Sequence, residues 1–218
     1  MKVIFLILSS LIITSCSALD YSKIAPGYSE AFKAIKSAIV GYEDQLITKE
    51  LVERIPYASS IMKIGKGPSG LIILESINSN TLTWVSADNV YLVTRNGRII
   101  RTAGLNNNLI EFNAPYSKKS FLNKIEGTKN SYYLSYDFPY VRNLEVKAKI
   151  EKKGKEKVDL LTGERTLLLI EEEISNDFIG WNAVNKFWLD EDGFVWKTEQ
   201  HISPKLPKII LEITKKPS

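Results

Sequence analysis

The sequence predicts a mainly β protein: an antiparallel up-and-down β-barrel-like or sandwich domain with one or two short N-terminal helices. Three observations carry that expectation. First, apolar and polar residues alternate at period two, as in Leu144, Val146, Ala148 and Ile150 against Glu145, Lys147, Lys149 and Glu151, the signature of a strand wetted on one side only. Second, Asn and Gly punctuate such runs at Asn78-Ser79-Asn80, Asn96-Gly97, Asn106-Asn107-Asn108, Lys153-Gly154, Thr162-Gly163 and Asp192-Gly193. That spacing marks roughly a dozen short strands with turns every ~8–12 residues. Third, Asn96-Gly97 sits between Val90–Thr94 and Arg98–Thr102, and an Asn-Gly pair between β-branched runs is a strong hairpin signal, because both central residues of a type I′ turn need φ > 0. No βαβ spacing, fixed-period repeat or low-complexity tract interrupts this pattern.

Taken in order, the chain opens with Lys2 and an apolar run from Val3 to Ile13, broken only by Ser9 and Ser10. The run is too short to cross a hydrocarbon core of ~30 Å as a helix but has the size and position of a secretory signal. It ends in Ile13-Thr14-Ser15-Cys16, which resembles the lipobox of bacterial lipoproteins. That resemblance implies removal of a signal peptide at residues 1–15 and lipidation of Cys16, the single cysteine of the chain. An ordinary signal peptide with an incidental cysteine, or a buried N-terminal helix, is the alternative. Ser17 in place of an aspartate implies, by the same resemblance, transfer to the outer membrane of a Gram-negative cell, with the domain lipid-anchored on the periplasmic face. A multiply acylated cysteine gives stable anchoring, since one acyl chain alone binds only marginally. With no second cysteine, the mature chain has no disulfide despite an oxidising compartment.

Residues 16–27 read as a lipidated tether, and 28–218 as a single antiparallel β-domain with an N-terminal helical segment. Tyr28, Phe32, Ile35 and Ile39 fall on one helical face, with Ser29 as N-cap and Gly41 as stop. Thr48 caps a second short helix running to Arg54, which Pro56 ends. From Tyr57 onward period two takes over. Besides the 144–151 run, Tyr132, Leu134, Tyr136 and Phe138 alternate with Ser131, Tyr133, Ser135 and Asp137, and Phe194, Trp196, Thr198, Gln200 and Ile202 form a further set. The formal net charge of +4 is too weak for a nucleic-acid footprint, so no nucleic-acid partner is expected; it is compatible with anionic lipid or an acidic polymer.

Chemistry is sparsely provided for. The one histidine, His201, supports neither a zinc cluster nor a catalytic triad and reads as a solvent-side strand residue. Gly65-Lys66-Gly67-Pro68-Ser69-Gly70 lacks the Gly-Lys-Ser/Thr ending of a phosphate loop and reads as a strand-to-strand turn. Asp190-Glu191-Asp192-Gly193 carries three carboxylates but reads as a hairpin turn rather than a metal loop. Glu171 and Glu173 point to one side of a strand and Glu172 to the other, a solvated strand end rather than a glycosidase pair. Lys152-Lys153-Gly154-Lys155 reads as a hairpin tip. No metal and no cofactor is expected. Trp84, Trp181, Trp188 and Trp196 could stack on sugar rings, but in small barrels such residues usually fill the interior.

Two blocks of sequence then match a known family. The first comprises Tyr57-Ala58-Ser59, Leu71-Ile72-Ile73-Leu74, Trp84-Val85-Ser86-Ala87-Asp88, Leu92–Thr102, Gly104-Leu105 and Asn108-Leu109. The second comprises Asn185–Asp190, Gly193–Gln200 and Ser203-Pro204. Together with the lipobox they resemble the YjbF/GfcB lipoproteins; the middle, Phe112 to Asn182, matches only loosely. The resemblance implies an outer-membrane lipoprotein associated with capsule or exopolysaccharide export, acting as a non-enzymatic accessory through polysaccharide-export proteins or acidic polysaccharide. It brings no catalytic residues. Asp88, Arg98 and Arg101, with Trp84, Trp188 and Trp196, are the candidate binding residues. The competing reading is that Asp88 shapes a turn and both arginines line a solvent face. A glycan- or lipid-binding carrier barrel is the alternative function, and a hydrolase or lyase using Glu171, Glu173, Asp190 or Asp192 is the least favoured.

Overall fold

In a computed structural model the chain divides into two units, residues 1–42 and 43–218. The structure describes residues 47–114 and 129–217, all within the second. Cys16, the tether and the helix expected at Tyr28–Ile39 lie outside the described residues.

The described chain begins with one short helix, α1 (Lys49–Arg54), followed by twelve strands. Thr48 caps α1 as its spacing predicts: its side chain accepts a hydrogen bond from the amide of Leu51 at 3.3 Å. The strands are β1 (Ser59–Ile64), β2 (Ser69–Asn78), β3 (Thr81–Ser86), β4 (Tyr91–Arg95), β5 (Arg98–Ala103), β6 (Leu109–Asn113), β7 (Lys129–Tyr136), β8 (Val141–Leu160), β9 (Gly163–Asn176), β10 (Trp181–Leu189), β11 (Val195–Gln200) and β12 (Ile209–Lys215). They form one sheet in the order β5-β4-β3-β2-β1-β12-β11-β10-β9-β8-β7-β6. Apart from β5 and β6, neighbours along the chain pair antiparallel, and β1 pairs β12, so the meander rolls into a nearly closed barrel. The barrel alternative of the sequence reading, not the sandwich, is realised.

The remaining seam lies between β5 and β6, which are adjacent but not laddered. Side chains bridge it: the amide of Leu109 donates to Thr102 Oγ1 at 2.9 Å and that of Leu105 to Asn108 Oδ1 at 2.9 Å. β5 also leans across the interior onto β11. Gln200 Oε1 accepts from the amide of Ile99 at 3.0 Å while its Nε2 donates to the carbonyl of Gly97 at 2.8 Å, so one buried amide side chain replaces two ladder bonds that the edge strand lacks.

The turns sort to the two ends of the barrel. At one end lie the β2–β3, β4–β5, β8–β9 and β10–β11 turns, together with the start of β1. Asn96 and Gly97 have φ of 49° and 76°, the type I′ geometry the sequence demands. A Cβ on Gly97 would come within 2.7 Å of the Val195 side chain, so glycine is needed there for closeness as well as for φ. Asp190 closes the β10–β11 turn by accepting from the amide of Phe194 at 2.8 Å, as the hairpin reading of that acidic stretch expects. At the other end lie the β1–β2, β3–β4, β5–β6, β7–β8, β9–β10 and β11–β12 connections, several of which interlock. Asn107 Nδ2 donates to the carbonyl of Phe138 at 2.6 Å, and Asp137 accepts from the amide and side chain of Asn108, both at 2.7 Å.

Three local expectations are corrected. Lys152-Lys153-Gly154-Lys155 is not a hairpin tip but the middle of the 20-residue β8, where a bulge between Lys152 and Gly154 shifts the register; Gly154 supplies the bulge with a φ of 109°. Phe138 does not continue the buried set Tyr132, Leu134 and Tyr136; β7 ends at Tyr136, and Phe138 stands in the following turn, 75% exposed. His201 lies one residue beyond β11 and is half-buried rather than on the solvent side of a strand. Burial, and secondarily the charge of Lys208, lowers its pKa.

Candidate functional site

The sequence-predicted residues separate into three places. Asp88 is exposed in the β3–β4 turn, where its carboxylate accepts from the hydroxyl of Ser86, the turn-shaping geometry. Arg101 is exposed on β5. Arg98 is not on the solvent face that the competing reading assigned to it. It is 5% exposed, and its guanidinium donates to Glu172 Oε1 at 2.6 Å. The rings of Phe112, Tyr132 and Phe187 surround it, with centroids 5.2, 5.3 and 5.4 Å from the guanidinium carbon.

Glu172 is 2% exposed and accepts a second bond from Asn185 Nδ2 at 2.9 Å; Asn185 Oδ1 in turn accepts from the amide of His201 at 2.7 Å. Burial works against the charge of Arg98, but the Glu172 carboxylate outweighs it and holds the pKa above the ordinary arginine value. Burial pushes the Tyr132 hydroxyl well up, and Glu172 adds to that. The group ties β5 to β9, β10 and the stretch after β11 across the interior. It is a clasp rather than a cleft: the free space beside it is about 10 Å³, too little for a substrate.

The tryptophans are core residues with satisfied indoles. Trp84 Nε1 donates to Thr94 Oγ1 at 3.0 Å, Trp188 Nε1 to Glu156 Oε1 at 2.5 Å and Trp196 Nε1 to Asp190 Oδ2 at 2.9 Å. Trp84 and Trp196 are brought together on one cavity of about 180 Å³, at the end that holds the Asn96-Gly97 turn; Leu82, Phe194, Leu211 and Ile213 complete its apolar wall. Trp188 does not line it. The volume suits a group of one small ring, not an oligosaccharide.

A larger concavity, about 1110 Å³, lies over β7 to β10. Lys147, Lys149, Glu145, Glu173, Asp177 and Asn182 are among its lining residues. Most of its charges are paired, Lys147 with Asp177 at 2.5 Å and Lys149 with Glu151 and Glu173. Glu151 is held at a pKa of about 2 by hydrogen bonds from Lys149 and Lys153. Such exposed charges also argue against a membrane-spanning barrel, whose lipid face carries an apolar band.

Three of the four carboxylates weighed for hydrolysis are likewise committed. Glu171 pairs with Lys153 and Lys186, and Asp190 is spent on the turn and on Trp196. Among the described residues no group of three His, Cys, Asp or Glu side chains is placed to hold a metal ion. The functional-looking cluster that sequence reasoning missed is Glu172 with Asn185 and Gln200. Its signal was present in strand parity, which puts Glu172 on the face opposite Glu171 and Glu173.

Residues 32–214 match the family model described as group 4 capsule polysaccharide lipoprotein gfcB, YjbF. The chain belongs to this family. Among relatives, it is 26% identical over 202 residues to the lipoprotein YjbF of Escherichia coli (strain K12), covering 90% of each chain. It is 27% identical over 111 residues to the lipoprotein GfcB of the same strain, covering 51% of this chain and 48% of that one. The fold resembles the crystal structure of the hypothetical lipoprotein YmcC from Escherichia coli (K12), with a TM-score of 0.73 and 21% identity over 86% of this chain and 96% of the other. The matched span contains both sequence blocks and every strand of the barrel but for Lys215 at the end of β12, so the clasp and the turns tied together beside it lie within the family-matching region.

Proposed function

We propose that this protein is a non-enzymatic accessory in capsule or exopolysaccharide production or export, anchored by acylated Cys16 to the outer membrane with its barrel on the periplasmic side. The single observation that carries the reading is membership of a capsule-polysaccharide lipoprotein family across residues 32–214. The geometry supports it from the other direction. The buried charged group is a clasp, and Glu171, Glu173 and Asp190 are tied into ion pairs and a turn, which favours a scaffold over a reaction centre. Anchoring confines the barrel to a thin layer, where weak contacts with export proteins become effective through raised local concentration.

The test is complementation in a strain lacking the gene. Glu171→Gln, Glu173→Gln and Asp192→Asn should each restore surface polysaccharide of unchanged chain length; altered polymer length in any of them overturns the non-enzymatic reading. A second reading, that the barrel carries a glycan, is favoured by the concavity over β7–β10. Calorimetry of the full chain with acidic oligosaccharides decides it: heat that vanishes in Asn182→Ala supports a carrier, and its absence removes that reading.

A further inference from the structure

Two neighbouring turns at the interlocked end carry exposed apolar side chains out of proportion to the rest of the surface. Phe178 is 95% exposed, Phe138 75% and Tyr140 69%, with Ile179 at 44%. Phe138 and Tyr140 stand in the β7–β8 turn and Phe178 and Ile179 in the β9–β10 turn, both at this end of the barrel; the β8–β9 register sets the second turn beside Glu145 of β8, staggered along the strand from the first. These four are most of the large apolar side chains exposed among the described residues. We infer that the two turns dip into the interfacial layer of the bilayer that holds the anchor, so that the barrel stands on this end. The inference rests on the anchored reading above.

Several features favour a bilayer over a protein partner as the occupant. The side chains project as prongs from two tight turns rather than forming a face. Together they offer roughly 500 Å², at ~150–250 Å² for each aromatic ring, short of the ~800 Å² that one partner contributes to a stable protein interface. Aromatic rings with one polar tip, as in Tyr140, suit the boundary between headgroups and acyl chains. The prongs are also fixed in advance. The carbonyl of Phe138 accepts from Asn107, its amide donates to Asp137 at 2.7 Å, and the amide of Ile179 donates to Asn176 Oδ1 at 3.1 Å. Ordering them on contact therefore costs little.

Of the two acidic neighbours one is charge-paired and the other is hydrogen-bonded within the protein. Asp177 is paired with Lys147. Burial pulls the pKa of Asp137 up, but hydrogen bonds from Asn108 and Phe138 outweigh it, so that carboxylate is satisfied within the protein.

Chain length permits the arrangement although the described chain begins at the far end of the barrel. About 30 residues separate Cys16 from Ile47; with the expected Tyr28–Ile39 helix at ~1.5 Å per residue and the rest extended at ~3.3–3.6 Å, the reach is roughly 80 Å. A strand the length of β10 spans only about 30 Å. The anchor and the turns can therefore enter one bilayer, and the turns would fix an orientation that a tether alone leaves free.

The test uses the full-length lipoprotein reconstituted in vesicles of phosphatidylethanolamine with a minor share of phosphatidylglycerol. An environment-sensitive thiol dye is placed by Phe178→Cys or, at the opposite end, by Asn96→Cys. The expected result is a blue shift and quenching by lipid-borne nitroxide of about two-fold or more for the first label, with the second unaffected. Phe138→Ser in the Phe178→Cys background should weaken the quenching. Protein that floats with the vesicles while both labels remain equally open to aqueous iodide overturns the inference but leaves the anchor standing. Protein that does not float overturns both. A Phe178 label shielded from lipid and water quenchers alike, and only in native envelopes, assigns the turns to a protein partner and overturns the bilayer contact.

Discussion

Glu171, Glu172 and Glu173 are chemically identical neighbours on β9, yet they belong to different regions of the molecule. Glu171 and Glu173 face outward into a ladder of lysines, Lys149, Lys153 and Lys186, where water screens every pair. Glu172 faces inward onto Arg98 with almost no exposure. The comparison teaches that burial, not charge count, decides what an ion pair is worth: exposed pairs contribute ~0–1 kcal/mol, whereas a buried charge that loses its partner is strongly unfavourable.

The largest expected effect comes from breaking the inner pair. Glu172→Ala leaves the Arg98 guanidinium buried and uncompensated and should lower unfolding free energy by about 3–5 kcal/mol, measured by urea denaturation. Arg98→Met with Glu172→Leu should recover most of that, because two apolar side chains can replace a buried pair. A double variant as unstable as the single one would show that the polar clasp, not charge balance, is what the fold requires. Gly97→Ala comes next. It forces φ of 76° on an L-residue and presses a Cβ onto Val195, for an expected loss of about 1–3 kcal/mol. Glu171→Ala on the outer ladder should change stability by no more than about 0.5 kcal/mol.

The smallest effect is a pH slope. His201 has a lowered pKa in the folded chain, so below its ordinary value of about 6.5 the unfolded chain takes up a proton that the folded chain refuses. Its contribution is present above that value and is lost as pH falls toward the folded pKa. The urea midpoint should therefore drop between about pH 7 and pH 5.5, less so in His201→Gln. A wild-type midpoint that rises on acidification contradicts this.

Much of the fold was legible because strand parity and turn chemistry are local. Asn96-Gly97, Thr162-Gly163 and Asp192-Gly193 all mark hairpin turns, and Leu144 to Ile150 alternates as written. What misled was equally specific. Gly154 sits in a basic run that mimics a turn, but a bulge can absorb a glycine without ending the strand, and β8 runs on. The tryptophans, which the sequence left open between core filling and sugar stacking, are buried. Arg98 was invisible as an interior residue because its partner Glu172, and the Asn185 that holds Glu172, lie 74 and 87 positions further along the chain; only the rolled sheet brings them together. The exposed prongs were hidden for the opposite reason. Phe138 continues an apolar alternation in sequence, and nothing local says that the strand has ended two residues earlier.

The most direct measurement is surface polysaccharide in cells whose sole copy of the protein is Cys16→Ser, exported and folded to wild-type level. If an anchored barrel works by being held at the membrane, surface polysaccharide should fall by roughly ten-fold or more when that confinement is lost. Full output from the acyl-free, freely diffusing protein would contradict the account.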